Sequence, residues 1–156
     1  MARTKTFTRL AAATLSVAAA AGLGLAGTGQ AEAAREFPVS NCIGPSPNIV
    51  DLPFMVRRAI VSTYGGDAYI AADFPSYFPG GYQSSLRMDW HNLSTGKRGF
   101  KVSNTKVNPP YQGVHYFVIP VKTIGKGRVA VTFGATNRNA LWSVPSTSCS
   151  GTIVVP

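Results

Sequence analysis

From Leu86 to His91 apolar and polar side chains alternate: Leu86, Met88 and Trp90 are apolar, and Arg87, Asp89 and His91 stand between them. A period of two puts the first three on one face of a β-strand and the others on the opposite face, so the segment reads as a strand with a core side and a wet side. The stretch Asn92-Leu93-Ser94-Thr95-Gly96 then turns the chain, with Gly96 able to take the positive φ of a bulged hairpin. Lys97 to Ser103 returns as the partner strand, with Phe100 and Val102 expected inward.

The same signal recurs along the chain, as short alternating runs between clusters of Gly, Pro and Asn. Val114 to Val121 is apolar in both phases, which predicts a central strand ended by Pro120. After Gly125-Lys126-Gly127, the run Arg128 to Gly134 places Val129, Val131 and Phe133 on one face, and Thr152 to Val155 is the last strand. Nearer the start, Phe37 to Ile43 reads as a first strand and Tyr69 to Ala72 as a short one. Phe54 to Thr63 reads as a strand, although Asp51 followed by Pro53 also offers a helix start and Gly65-Gly66 a stop. No helical stripe is sustained. The expectation is an all-β domain of seven or eight short strands.

Residues 1–33 set the compartment. Arg3, Lys5 and Arg9 precede an apolar run from Leu10 to about Ala26. The breaker Gly27-Thr28-Gly29-Gln30 and the small-x-small Ala31-Glu32-Ala33 follow, which predicts cleavage before Ala34. Without an Arg-Arg pair the Sec route is expected, and without a Cys at the cut lipidation is not. The C-terminus carries neither a hydrophobic tail nor a basic stop. The expected organisation is therefore a cleaved signal peptide, 1–33, and a single domain, 34–156. That domain is secreted, extracellular or loosely cell-wall associated, with no membrane span after cleavage.

In an oxidising compartment Cys42 and Cys149, near the two ends of the domain, are most simply a disulfide. Closing a loop of roughly 100 residues stabilises by up to about 4.7 kcal/mol on the loop-entropy argument. Such a bridge would tether the first strand to the last. The length, the strand count and the joined ends fit a two-sheet antiparallel sandwich.

At this point the layout resembles the small exported immunoglobulin-like proteins of high-GC Gram-positive bacteria. The residues that carry the resemblance are the signal ending in Ala31-Glu32-Ala33, the Trp90 strand with its Ser94-Thr95-Gly96-Lys97 hairpin, and the strand Gly127-Arg128-Val129-Ala130-Val131-Thr132-Phe133. It extends over most of the domain and implies an immunoglobulin-like sandwich. One departure is that the bridge joins the first and last strands, whereas antibody-type domains pin two core strands around a Trp. No site residues are carried over.

Motifs for catalysis are few. There is no G-x-S-x-G, H-E-x-x-H or P-loop. Ser94-Thr95-Gly96-Lys97 and Ser103-Asn104-Thr105-Lys106 match S-x-x-K without the Ser-Asp-Asn and Lys-Thr-Gly elements of penicillin-interacting enzymes. Asp67 and Asp73 bracket a short strand, and the sequence does not place them facing each other as the carboxylate pair a glycosidase needs. Asp89 and His91 share a strand face, and His115 could join them as a weak metal site. An exposed polar strand face explains the same residues, and no catalytic residue, metal or cofactor is assigned.

Two features suit binding. Aromatics crowd the window 64–82, with Tyr64, Tyr69, Phe74, Tyr77, Phe78 and Tyr82 among Gly and Pro, either as an exposed patch or as a plug over an open end of the sandwich. The second is charge. Of 15 basic and 6 acidic residues, twelve and five remain once residues 1–33 leave, a net charge of about +7. Lys97, Arg98 and Lys101 surround one turn, and Lys122, Lys126 and Arg128 another. If both turns lie at one pole, they form a cationic cap for phosphate or carboxylate polymers. Nucleic acid is not expected, since only Phe100 lies near this charge for base stacking.

The expected function is a secreted, non-catalytic binding protein for an anionic cell-wall polymer or another protein. The alternatives are an enzyme inhibitor presenting Asn108-Pro109-Pro110-Tyr111 or Pro75 to Pro79, and a carrier of a small apolar molecule.

Overall fold

A computed structural model describes residues 32–40, 43–48, 54–56, 58–74, 80–108, 113–144 and 147–156. In order, the elements are β1 (Glu32–Ser40), β2 (Ile43–Gly44), β3 (Phe54–Met55), β4 (Arg58–Tyr64), β5 (Asp67–Phe74), β6 (Tyr82–Asn92), β7 (Arg98–Val107), β8 (Gly113–Pro120), the single helical turn α1 (Val121–Ile124), β9 (Gly127–Arg138) and β10 (Thr147–Val155). The all-β expectation holds. Among the described residues no helix is long and apolar enough to cross a membrane.

Eight strands form one antiparallel sheet in the order β7-β6-β9-β10-β1-β4-β5-β8, and β2 pairs with β3 separately. The sheet curls until its end strands β7 and β8 lie beside each other, which makes it barrel-like. Hydrogen bonding is continuous across the middle because β1 serves both sides. Arg35 to Pro38 pair with β4, whereas Val39 and Ser40 pair with Gly151 and Ser150 of β10.

The core follows from alternation. Leu86, Met88 and Trp90 point inward on β6 as expected, joined by Val129, Val131 and Phe133 of β9 and by Ile70, Phe117 and Ile153. These side chains are almost wholly withdrawn from water, each contributing about 1.5–3 kcal/mol of burial. The hairpin after β6 forms where expected, with Gly96 at φ 73° and its N–H on the Asn92 carbonyl at 2.8 Å.

Two expectations are corrected. Phe100 and Val102 face outward, 60% and 47% exposed. The register sets Gly99 beside Trp90, so Phe100 stands beside Asp89 on the wet side, with the Arg87 guanidinium 4.0 Å above its ring. β8 is an end strand of the sheet. Its second apolar phase, Val114, Tyr116 and Val118, lies on the outer surface, where Tyr116 is 67% exposed. The short strand expected at Tyr69 to Ala72 is present and extends to β5, paired with both β4 and β8. Ala68, Ile70 and Ala72 fill the core there while Tyr69 points outward.

β7 and β8 meet at a seam without ladder pairing. The Lys101 ammonium donates to the Val118 carbonyl, and the Lys97 ammonium to the Lys122 carbonyl at 2.6 Å. This explains why the inward phase of β7 is polar: Lys101, Ser103 and Thr105 face a seam, not the core.

Candidate functional site

The two basic turns are brought together at one pole, and Asn92 does it. Its side chain is fully buried. The amide nitrogen donates to the carbonyls of Ile124 at 3.0 Å and Lys126 at 2.9 Å. The amide oxygen accepts from the backbone N–H groups of Ser94 at 2.9 Å and Thr95 at 2.8 Å. An asparagine has two amide hydrogens and one oxygen with two lone pairs, so these four bonds use its full capacity. Leu93 N–H adds a bond to the Arg128 carbonyl at 2.8 Å. Gly125 permits the approach, since its φ is 79° and a Cβ there would lie 2.8 Å from the Asn92 amide nitrogen.

Lys97, Arg98, Lys101, Lys122, Lys126 and Arg128 are all exposed around this junction. Most described carboxylates are committed elsewhere: Glu36 to Arg58 at 2.9 Å, Asp89 to Arg87 at 2.7 Å and Glu32 to Arg35 at 3.2 Å. Asp67 lies at the pole, opposite Pro120 in register, and Asp89 lines a pocket with Arg98. Six cations against Asp67 and an Asp89 already paired with Arg87 make a surface that attracts anions. Salt weakens that attraction beyond a Debye length of about 8 Å at physiological ionic strength.

The Asp89, His91 and His115 group is not assembled. Asp89 bonds Arg87 through two hydrogen bonds of 2.9 and 2.7 Å, which hold its carboxyl below the usual range. His91 lies on the outer face, whereas His115 is fully buried on the inner face of β8. There His115 Nε2 is 3.0 Å from Ser84 Oγ, which donates to Asn137 Oδ1 at 2.6 Å. Burial brings the His115 pKa down to about 4, opposed by a backbone hydrogen bond at Ser103. No group of three or more His, Cys, Asp or Glu among the described residues could hold a metal ion. The Ser84–His115–Asn137 chain has the residue types of a nucleophilic triad, but Ser84 and Asn137 are each 2% exposed.

The aromatic window does not form one patch among the described residues. Tyr64 is exposed at the β4–β5 turn, Tyr69 lies on the outer face of β5, and Tyr82 is buried. The Phe74 side chain, Tyr77 and Phe78 lie outside the described residues, as do Pro75 to Pro79, most of the Asn108 to Tyr111 segment and Cys42. Cys149 is buried, and no free thiol occurs among the described residues.

Sequence reasoning missed the opposite pole. Clefts of about 500 and 610 Å³ open there around Gln83 and Arg138. Leu141 and Trp142, exposed beside them, were a usable signal, since a Leu-Trp pair inside a polar run is out of place unless it packs or binds. Comparison with known proteins gives no match to any family model, curated protein or solved structure.

Proposed function

We propose that the protein is an exported, non-catalytic binding protein that holds an anionic polymer of the cell envelope at its basic pole. The observation that carries this reading is the Asn92 junction, which fixes two separate basic turns side by side. The interior supports surface recognition over a carried ligand, because Phe54, Phe117, Phe133, Ile70, Leu86 and Met88 fill the space between the sheet walls. Burial of Ser84 and His115 supports the non-catalytic part.

The finer structural reading goes with this proposal. Residues 1–33 are a signal peptide, and the two halves of the sheet, joined through β1, act as the layers of an immunoglobulin-like sandwich. Cys149 bonds Cys42. In support, Ser40 pairs with Ser150 at the end of the β1–β10 ladder, two residues from Cys42 and one from Cys149. A second reading, contact with another protein, is favoured by the exposed Tyr69 and Tyr116 on the outer face of β5 and β8.

The test is retention of purified protein on isolated cell wall at low and high salt. The anionic-polymer reading expects retention that salt abolishes and that Lys122→Glu with Lys126→Glu removes. Salt-insensitive retention, or retention unchanged in the double variant, would overturn it.

A further inference from the structure

The pole opposite Asn92 carries a second cationic surface built on different principles. In register, Gln83 of β6 stands between Lys106 of β7 and Arg138 of β9. All three are exposed on the outer face. One step along, Ser85 stands between Asn104 and Thr136 in the same way. Neighbouring strands are about 4.8 Å apart and successive residues on one face about 6.8 Å apart, so the six side chains form a grid roughly 10 by 7 Å. One cleft of about 500 Å³ runs from Lys106, Gln83 and Arg138 to Leu141. A second of about 610 Å³ shares Gln83 and Arg138 and extends over Ser85, Asn104 and Thr136 to Ser143. Neither Lys106 nor Arg138 has an ion pair among the described residues.

The rim of this grid is fixed. Asn139 donates to the Pro47 carbonyl at 2.7 Å and to Asn48 Oδ1 at 3.1 Å, and its own oxygen accepts from the N–H groups of Leu141 and Trp142. The Trp142 indole N–H reaches the same Pro47 carbonyl at 2.5 Å. Leu141 and Trp142 are therefore held outward, 82% and 45% exposed, with little ordering left to do on binding.

We propose that this grid is a binding site for an acidic saccharide, with Arg138 and Lys106 taking a sugar carboxylate and Gln83, Ser85, Asn104 and Thr136 taking hydroxyls. Three observations select that ligand class. β6 and β9 are interior strands bonded on both sides, so their main chain cannot accept an added peptide strand and recognition falls to side chains. The neutral groups of the grid are amides and hydroxyls that both donate and accept, which matches sugar hydroxyls. A guanidinium at one corner suits bidentate carboxylate binding, and Leu141 offers an apolar edge for the C–H face of a ring.

The probes are trigalacturonate, its methyl ester and inorganic phosphate, titrated into the purified protein with Trp fluorescence and calorimetry as readouts. Expected is saturable trigalacturonate binding with a fluorescence change that Trp142→Phe removes. The methyl ester should bind about tenfold more weakly or worse, and Arg138→Gln should weaken trigalacturonate similarly, which is the scale of one charge-assisted contact. The titrations are repeated in the Lys122→Glu with Lys126→Glu background, where the basic pole is disabled, so that the trigalacturonate binding that remains belongs to the grid. Equal binding of acid and ester, no effect of Arg138→Gln at an unchanged melting temperature, or no saturation by about 10 mM overturns the proposal. Phosphate competing as effectively as trigalacturonate assigns the site to simple anions and overturns it as well.

Discussion

Buried amides organise both ends of β6, and they use different partners. Asn92 bonds four main-chain groups on two turns. Asn137 bonds Ser84, which meets the imidazole of His115. Main-chain partners have no protonation state within the working range of a protein, so the Asn92 end keeps one geometry at any ordinary pH. A network that ends in histidine is tied to acidity. One pole is thus fixed by its backbone, and the other depends on a titratable side chain beneath its surface.

Breaking the first network should have the largest effect. Asn92→Ala leaves two carbonyls and two N–H groups without their partner, the Ile124 carbonyl buried and the other three half-buried, at about 1–3 kcal/mol for each group that water cannot reach. Chemical denaturation should show a loss of at least about 3 kcal/mol, and salt-sensitive binding to anionic polymer should fall with it. A milder effect, at most about 2 kcal/mol, would mean that the turns hold each other without the amide.

Acidification should act on the other end. In the unfolded chain His115 titrates near 6.5, and in the folded protein at about 4. The unfolded state therefore binds the proton first as pH falls, and stability declines from about 6.5 until it levels near 4, by up to about 3 kcal/mol. Denaturation midpoints of the wild type and His115→Gln, compared across that window, should converge at low pH. Parallel profiles would detach the histidine from the network.

Gly125→Ala should cost about 1–2 kcal/mol, from positive φ and from the clash with the Asn92 amide. Thermal melting in the wild-type and Asn92→Ala backgrounds would sharpen the comparison, since the cost should shrink where the amide is already gone. The smallest effect belongs to Lys122→Glu with Lys126→Glu, where both side chains are exposed. Stability should stay within about 0.5 kcal/mol while polymer retention is lost.

What could be read from the chain was local. The alternation from Leu86 to Trp90, the Asn92 to Gly96 turn and the stop at Pro120 depend on neighbours in sequence, and each stands in the structure. The meeting of the two basic turns was readable only as a condition, because the bond that satisfies it joins Asn92 to Ile124 and Lys126. Phe100 was misplaced for a similar reason. Hydrophobicity assigns it inward, but its facing is set by the pairing of Asp89 with Phe100. The Lys106–Gln83–Arg138 row is a product of register across three strands and has no trace in any one segment.

The seam between β7 and β8 also bears on motion. Elsewhere in the sheet each strand is joined to its neighbours by a ladder whose bonds form and break together, whereas here two ammonium groups on flexible stems hold carbonyls one at a time and the His115 side chain meets the Ser103 backbone. Such a fastening opens locally at a lower free energy than the rest of the sheet. Amide hydrogen exchange should therefore run fastest along the outer edges of β7 and β8 and slowest in β6 and β9. Acetylating Lys97 and Lys101 should widen that gap. The barrel has a built-in line of parting, and it runs from the basic pole.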